Sequence, residues 1–156
     1  MKARLMAGQH CLKVEEELLL YDLSGQELEK RISELLPILS GAQLHQFGGL
    51  KQELRTFNSL LWVYIQRDGV LKRVVENIRL LWVTVGVVSI NDFAHKLDLN
   101  PSFTGRVLSG DGIGLGGWNL ANLMRMSGVL KVKPEALLLA NLGAVVRQVA
   151  GTERTK

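Results

Sequence analysis

Between residues 70 and 140 the helix-starting and helix-stopping residues of this chain leave little choice of architecture. An apolar helical pattern (Val74, Val75, Ile78, Leu81, Trp82) is followed by Ser89, with Asp92 three residues later. A serine ahead of a helix can accept a first-turn backbone N–H, and a carboxylate in that turn meets the positive end of the helix dipole. Asp98 stands where the chain must turn, and Asp tolerates left-handed backbone angles better than most residues. Asn100 and Pro101 then restart a helix: Asn caps it, and Pro fits a first position that needs no amide hydrogen. A glycine-rich stretch spans 109–117, and two further helices are expected after it, the first starting near Asn119. The order is helix, capped short helix, tight turn, second short helix, loop, and two further helices.

Within this frame Phe93, Ala94, Leu97, Leu99, Thr104 and Val107 fall on the inward side, and small Ala94 allows the two short helices to cross closely. Ser102, Phe103 and Arg106 fall outward. A short polar helix held at a fixed angle by the one before it has the form that enters a DNA groove. Arg106 can give two hydrogen bonds to guanine, Ser102 can bond a phosphate or base, and Phe103 can touch a thymine methyl. The plainer alternatives are an ordinary surface arginine and a core phenylalanine. Phosphate contacts position a protein on a duplex, and the candidates for them are Ser89, Asn91, Asn100, Asn119 and Asn122, with charge from Lys96 and Arg125. Asn119 and Asn122 begin a helix, where amide hydrogens are expected to be free for phosphate. Each could instead be a solvated polar residue.

These residues resemble the Cro/CI-like, or lambda-repressor-like, helix-turn-helix family over about residues 74–139. The family's first helix looks like Val75-Glu76-Asn77-Ile78-Arg79-Leu80-Leu81. Its serine-started second helix and alanine look like Ser89 and Ala94, its closing glycine like Gly110, and its late proline, acid and leucines like Pro134-Glu135-Ala136-Leu137-Leu138. The chain departs from the family in four places. Ile90 stands where a glutamine is common, Thr104 where an aliphatic residue is common, Asp98 where a turn glycine is frequent, and the 109–117 loop is longer. The resemblance implies a compact helical domain that binds double-stranded DNA as a dimer.

Upstream, Ser24 with Glu27 makes a capping-box pattern. Leu28, Ile32, Leu35, Leu36 and Leu39 form one face of the helix that follows, and Pro37 should end or strain its last turn. A second helix is expected from about residue 50 to 66. Its seam of Phe47, Leu50, Leu54, Phe57, Leu61 and Tyr64 suits helix-on-helix packing. It could close an intramolecular hairpin or join two copies of the chain, and Leu50, Leu54, Phe57, Leu61 and Tyr64 are the dimerisation candidates. A weaker helical pattern spans residues 12–21, where the Glu15-Glu16-Glu17 run reads as a solvated face or a lure for a basic partner. Residues 1–11 read as a loose arm.

Composition excludes several classes. Among 156 residues there is one cysteine, Cys11, so no disulfide framework or cysteine-based zinc site arises within the chain. His10, His45 and His95 have no metal-ligand spacing. The net charge of +4 suits a polyanion partner without demanding one. No secretory signal pattern is seen, and the longest nearly apolar stretch, 80–90, is about half a membrane span. A cytoplasmic protein with no membrane contact is expected. The 112–117 stretch satisfies GxGxxG, but a nucleotide loop needs a strand before it, and here a helix precedes it. Trp62, Trp82 and Trp118 read as packing residues. No triad or paired-carboxylate pattern is present, so neither enzyme activity nor a cofactor or metal is expected.

The expectation is therefore an all-α protein: an N-terminal helical hairpin for self-association or partner binding over 1–68, a lambda-repressor-like helix-turn-helix domain over 69–150, and a polar tail over 151–156. The expected activity is that of a sequence-specific transcriptional regulator, a repressor acting as a homodimer on an inverted repeat. The rival is a protein-interaction module, such as an antitoxin or adaptor, on the same scaffold but without DNA reading, with a protein partner on the N-terminal half.

Overall fold

The computed structural model describes residues 12–42, 48–110 and 117–154. These segments form nine helices: α1 Val14–Leu20, α2 Gly25–Ser40, α3 Lys51–Ile65, α4 Val70–Val85, α5 Ile90–Leu97, α6 Pro101–Ser109, α7 Leu120–Leu130, α8 Pro134–Leu139 and α9 Leu142–Arg154. No strand occurs among the described residues. Cys11, His10, His45, Phe47 and residues 111–116 of the glycine-rich stretch lie outside them.

Local chemistry sets the helix ends. The Ser24 hydroxyl oxygen accepts the Glu27 N–H at 3.1 Å and donates to the Glu27 carboxylate at 3.2 Å, which holds the start of α2. Pro37 sits in the last turn of α2, which ends at Gly41. Helix α6 ends at Gly110, whose φ of 79° is left-handed. A Cβ at that position would run into the Leu71 side chain of α4, so glycine answers both the backbone angle and the close approach.

Helix α2 lies along α3, and both are built into the rest of the protein: α2 packs on α8, while α3 packs on α4 and α7. The core is accordingly continuous. Leu28, Ile32 and Leu36 of α2, Phe57 and Leu61 of α3, Val74 and Ile78 of α4, Phe93 of α5, Leu123 of α7 and Leu137 of α8 belong to one buried cluster. Burying each such side chain contributes about 1.5–3 kcal/mol, so the two expected regions are stabilised jointly across the turn at residues 66–69.

Three expectations change here. The seam proposed for dimerisation is used inside the chain. Phe57, Leu61 and Tyr64 are buried in the core, and Leu50 and Leu54 are partly buried against it. Phe103, expected outward, is also partly buried against the core. Residues 151–154, expected in a polar tail, continue α9. That helix lies on α4, where Arg147 meets Glu76 at 3.0 Å.

No single helix among the described residues is long and apolar enough to cross a membrane. Helices α4 and α5 meet at 82° and bury Val74, Ile78, Trp82, Phe93 and Leu97 in the core.

Candidate nucleic-acid interface

The local sequence builds α5 and α6 as a pair. The Ser89 hydroxyl oxygen accepts the Asp92 N–H at 3.1 Å, and the Asp92 carboxylate accepts the Val88 N–H at 3.1 Å. One donor left over at the helix start is thereby satisfied, and the residue ahead of the cap is tied to the first turn. Asp98 closes α5 in the left-handed region, with φ of 58°. The Leu99 N–H reaches back to the Ala94 carbonyl at 2.9 Å, and Ala94 is fully buried.

Asn100 then fixes the start of α6. Its side-chain oxygen accepts the N–H groups of Ser102 at 2.8 Å and Phe103 at 3.3 Å. Thr104 is buried without leaving its hydroxyl unpaired, because that hydroxyl donates to the Asn100 carbonyl at 3.0 Å. Val107 and Leu108 complete the buried side of α6. The Val107 carbonyl accepts the indole N–H of buried Trp118 at 3.0 Å, which ties the end of α6 to the start of α7.

The opposite side of α6 carries Ser102, Arg106 and Ser109, all exposed. At 100° per residue these positions fall within an arc of about 60°, so they form one polar stripe with a cation at its centre. Ser109 was not among the candidates taken from the sequence. Its signal was available as the i, i+4, i+7 spacing from Ser102.

The expected phosphate contacts divide in two. Ser89, Asn91, Asn100 and Lys96 are exposed. Among the described residues no cap occupies the N–H groups of Ile90 and Asn91, so the start of α5 keeps donors that favour an anion. The start of α7 differs from expectation. Its Leu120 N–H is held by the Asn58 side chain at 2.9 Å, its Asn122 N–H by Asn119 at 2.9 Å, and the Asn122 amide donates to the Gly117 carbonyl at 2.8 Å. Asn119 and Asn122 thus act first on their own helix. Arg125 is exposed and reaches the Leu97 carbonyl, the last of α5, at 3.4 Å.

Sequence reasoning missed three polar groups that hold this arrangement from behind. Fully buried Asn77 donates to the carbonyls of Leu137 at 3.0 Å and Ala140 at 2.8 Å, and its oxygen accepts the Leu142 N–H at 3.0 Å. Asn58, also buried, starts α7 from the hairpin side. Arg73 donates to the Tyr64 hydroxyl at 2.6 Å and to the Leu138 carbonyl at 2.8 Å, while Tyr64 donates to Glu29 at 2.8 Å. Burial pushes the Tyr64 hydroxyl above its ordinary pKa; Arg73 opposes this and Glu29 adds to it. The available signal was a polar residue inside an apolar helical run, as Asn77 stands between Val74 and Ile78. Among the described residues no group of three His, Cys, Asp or Glu side chains is placed to hold a metal ion.

Comparison with protein-family models, with curated proteins and with solved structures returned no match.

Proposed function

We propose that this protein is a sequence-specific double-stranded DNA-binding regulator of the helix-turn-helix type, a repressor acting as a homodimer on an inverted repeat. The observation that carries the reading is the α6 stripe. Ser102, Arg106 and Ser109 stand exposed on a short helix whose other side is anchored by Thr104, Val107 and Leu108. An arginine presented in this way can make a bidentate contact with guanine, and the open amides of Ile90 and Asn91 offer a neighbouring phosphate contact. The likeness of residues 74–139 to repressor-like domains supports the same reading. Since the α3 seam is buried, self-association would use a different face.

The test is selection of bound duplexes from a random pool by the wild-type chain and by Arg106→Ala in parallel. The expected result is an enriched inverted repeat that Arg106→Ala loses or blurs. No enrichment by a folded wild-type chain at low salt would overturn the reading.

A second reading, a protein-interaction module on this scaffold, is favoured by one observation: the amides at the starts of α6 and α7 are already taken within the chain. Salt separates the two, because each phosphate contact steepens the loss of affinity with added salt. Binding to a protein partner that is indifferent to salt, without duplex enrichment, would favour the module.

A further inference from the structure

Gly105 stands in the middle of α6 and is partly exposed. Glycine is a poor residue for a helix interior, because it loses the most backbone freedom on folding. Packing gives no reason for it here, since a Cβ at Gly105 would meet nothing within 4 Å among the described residues. Nor does backbone geometry, because Gly105 is not among the positive-φ glycines. In a helix of only nine residues the cost finds no return among the described residues.

The position of Gly105 on α6 suggests what the return is. At 100° per residue it lies about 100° around the helix from Arg106 and about 60° from Ser102. If Arg106 points at the floor of a groove, Gly105 faces a side wall. An α-helix with its side chains is about 10–12 Å across, and the major groove is about 12 Å wide. The fit is tight enough for one missing Cβ on the flank to matter.

We propose that Gly105 is a positioning residue for DNA binding: its bare flank lets a sugar–phosphate strand of the major-groove wall approach the α6 backbone, which sets the depth at which Arg106 reads. This inference rests on the DNA-binding reading above.

Gly128 of α7 supplies a matched control, being an exposed helix glycine that also has nothing within 4 Å of an added Cβ. Gly105→Ala and Gly128→Ala should each raise Tm by about 2–4 °C, as expected for relieving an unneeded helix glycine in a chain of this size. On the duplex selected by the wild type, Gly105→Ala should bind about tenfold more weakly and Gly105→Leu more weakly still, while Gly128→Ala binds as wild type. Unchanged affinity in Gly105→Ala overturns this inference alone and leaves the regulator reading standing. Equal losses in Gly105→Ala and Gly128→Ala also overturn it, because helix stiffness rather than the flank would then be responsible. A wild-type chain that selects no duplex overturns both.

Discussion

The Asn58 side-chain oxygen accepts the backbone N–H of Leu120 at 2.9 Å, so a residue of α3 provides the first-turn cap of α7. The contact joins the hairpin to the helix after the glycine-rich loop. Removing it by Asn58→Ala leaves a covered amide unpaired, a loss of about 1–3 kcal/mol. Hydrogen exchange should show the Leu120 amide losing protection more than amides in the middle of α4. Uniform loss across all helices would mean that Asn58 serves general packing and not the start of α7.

Asn77 makes a stronger prediction. Its amide holds the carbonyls of Leu137 and Ala140 and the N–H of Leu142, so one side chain organises the passage from α8 to α9. Asn77→Leu is close in size but leaves these groups without a partner. It should cost about 3 kcal/mol or more, read as a lower denaturant midpoint. A variant as stable as wild type would show that water or a local shift replaces all three bonds.

Leu61 decides how the α3 seam is used. It is fully buried within a single chain. Leu61→Ala should therefore cost about 2–5 kcal/mol through the lost contacts and the cavity left behind. The midpoint should fall by the same amount at every protein concentration. A loss that deepens on dilution would place Leu61 between two copies.

Tyr64 gives the chain an alkaline limit. Its folded pKa is raised above the ordinary value of 10.0, chiefly by burial. The neutral hydroxyl is thus the form that folding favours, and its contribution is fully present below pH 10.0. That contribution is lost as pH rises from there through the folded pKa, because the unfolded chain releases the proton first. Stability against pH should bend downward above about 10 in the wild type, and the bend should be shallower in Tyr64→Phe. Identical alkaline limbs in the two proteins would remove Tyr64 from the explanation.

The sequence by itself determined the helix starts and stops. Ser24, Ser89, Asn100 and Asn119 each cap their own helix through an N–H two or three residues away, and Asp98 and Gly110 close helices in the left-handed region. Such bonds lie within one turn of chain, so residue type and spacing are enough to reveal them. The exposed positions of Ser102 and Arg106 were legible for the same reason: the buried side of α6 follows from its apolar spacing. Tertiary structure decided what the helices pack against. It buried the α3 seam inside the chain, drew Phe103 partly into the core, closed the start of α7 with Asn58, and set Asn77 and Arg73 against the carbonyls of α8 and its end. Those contacts join residues about sixty positions apart, and no local pattern specifies which distant carbonyl or amide will need a partner. The need arises only when burial removes water from that group, and burial is a property of the assembled core.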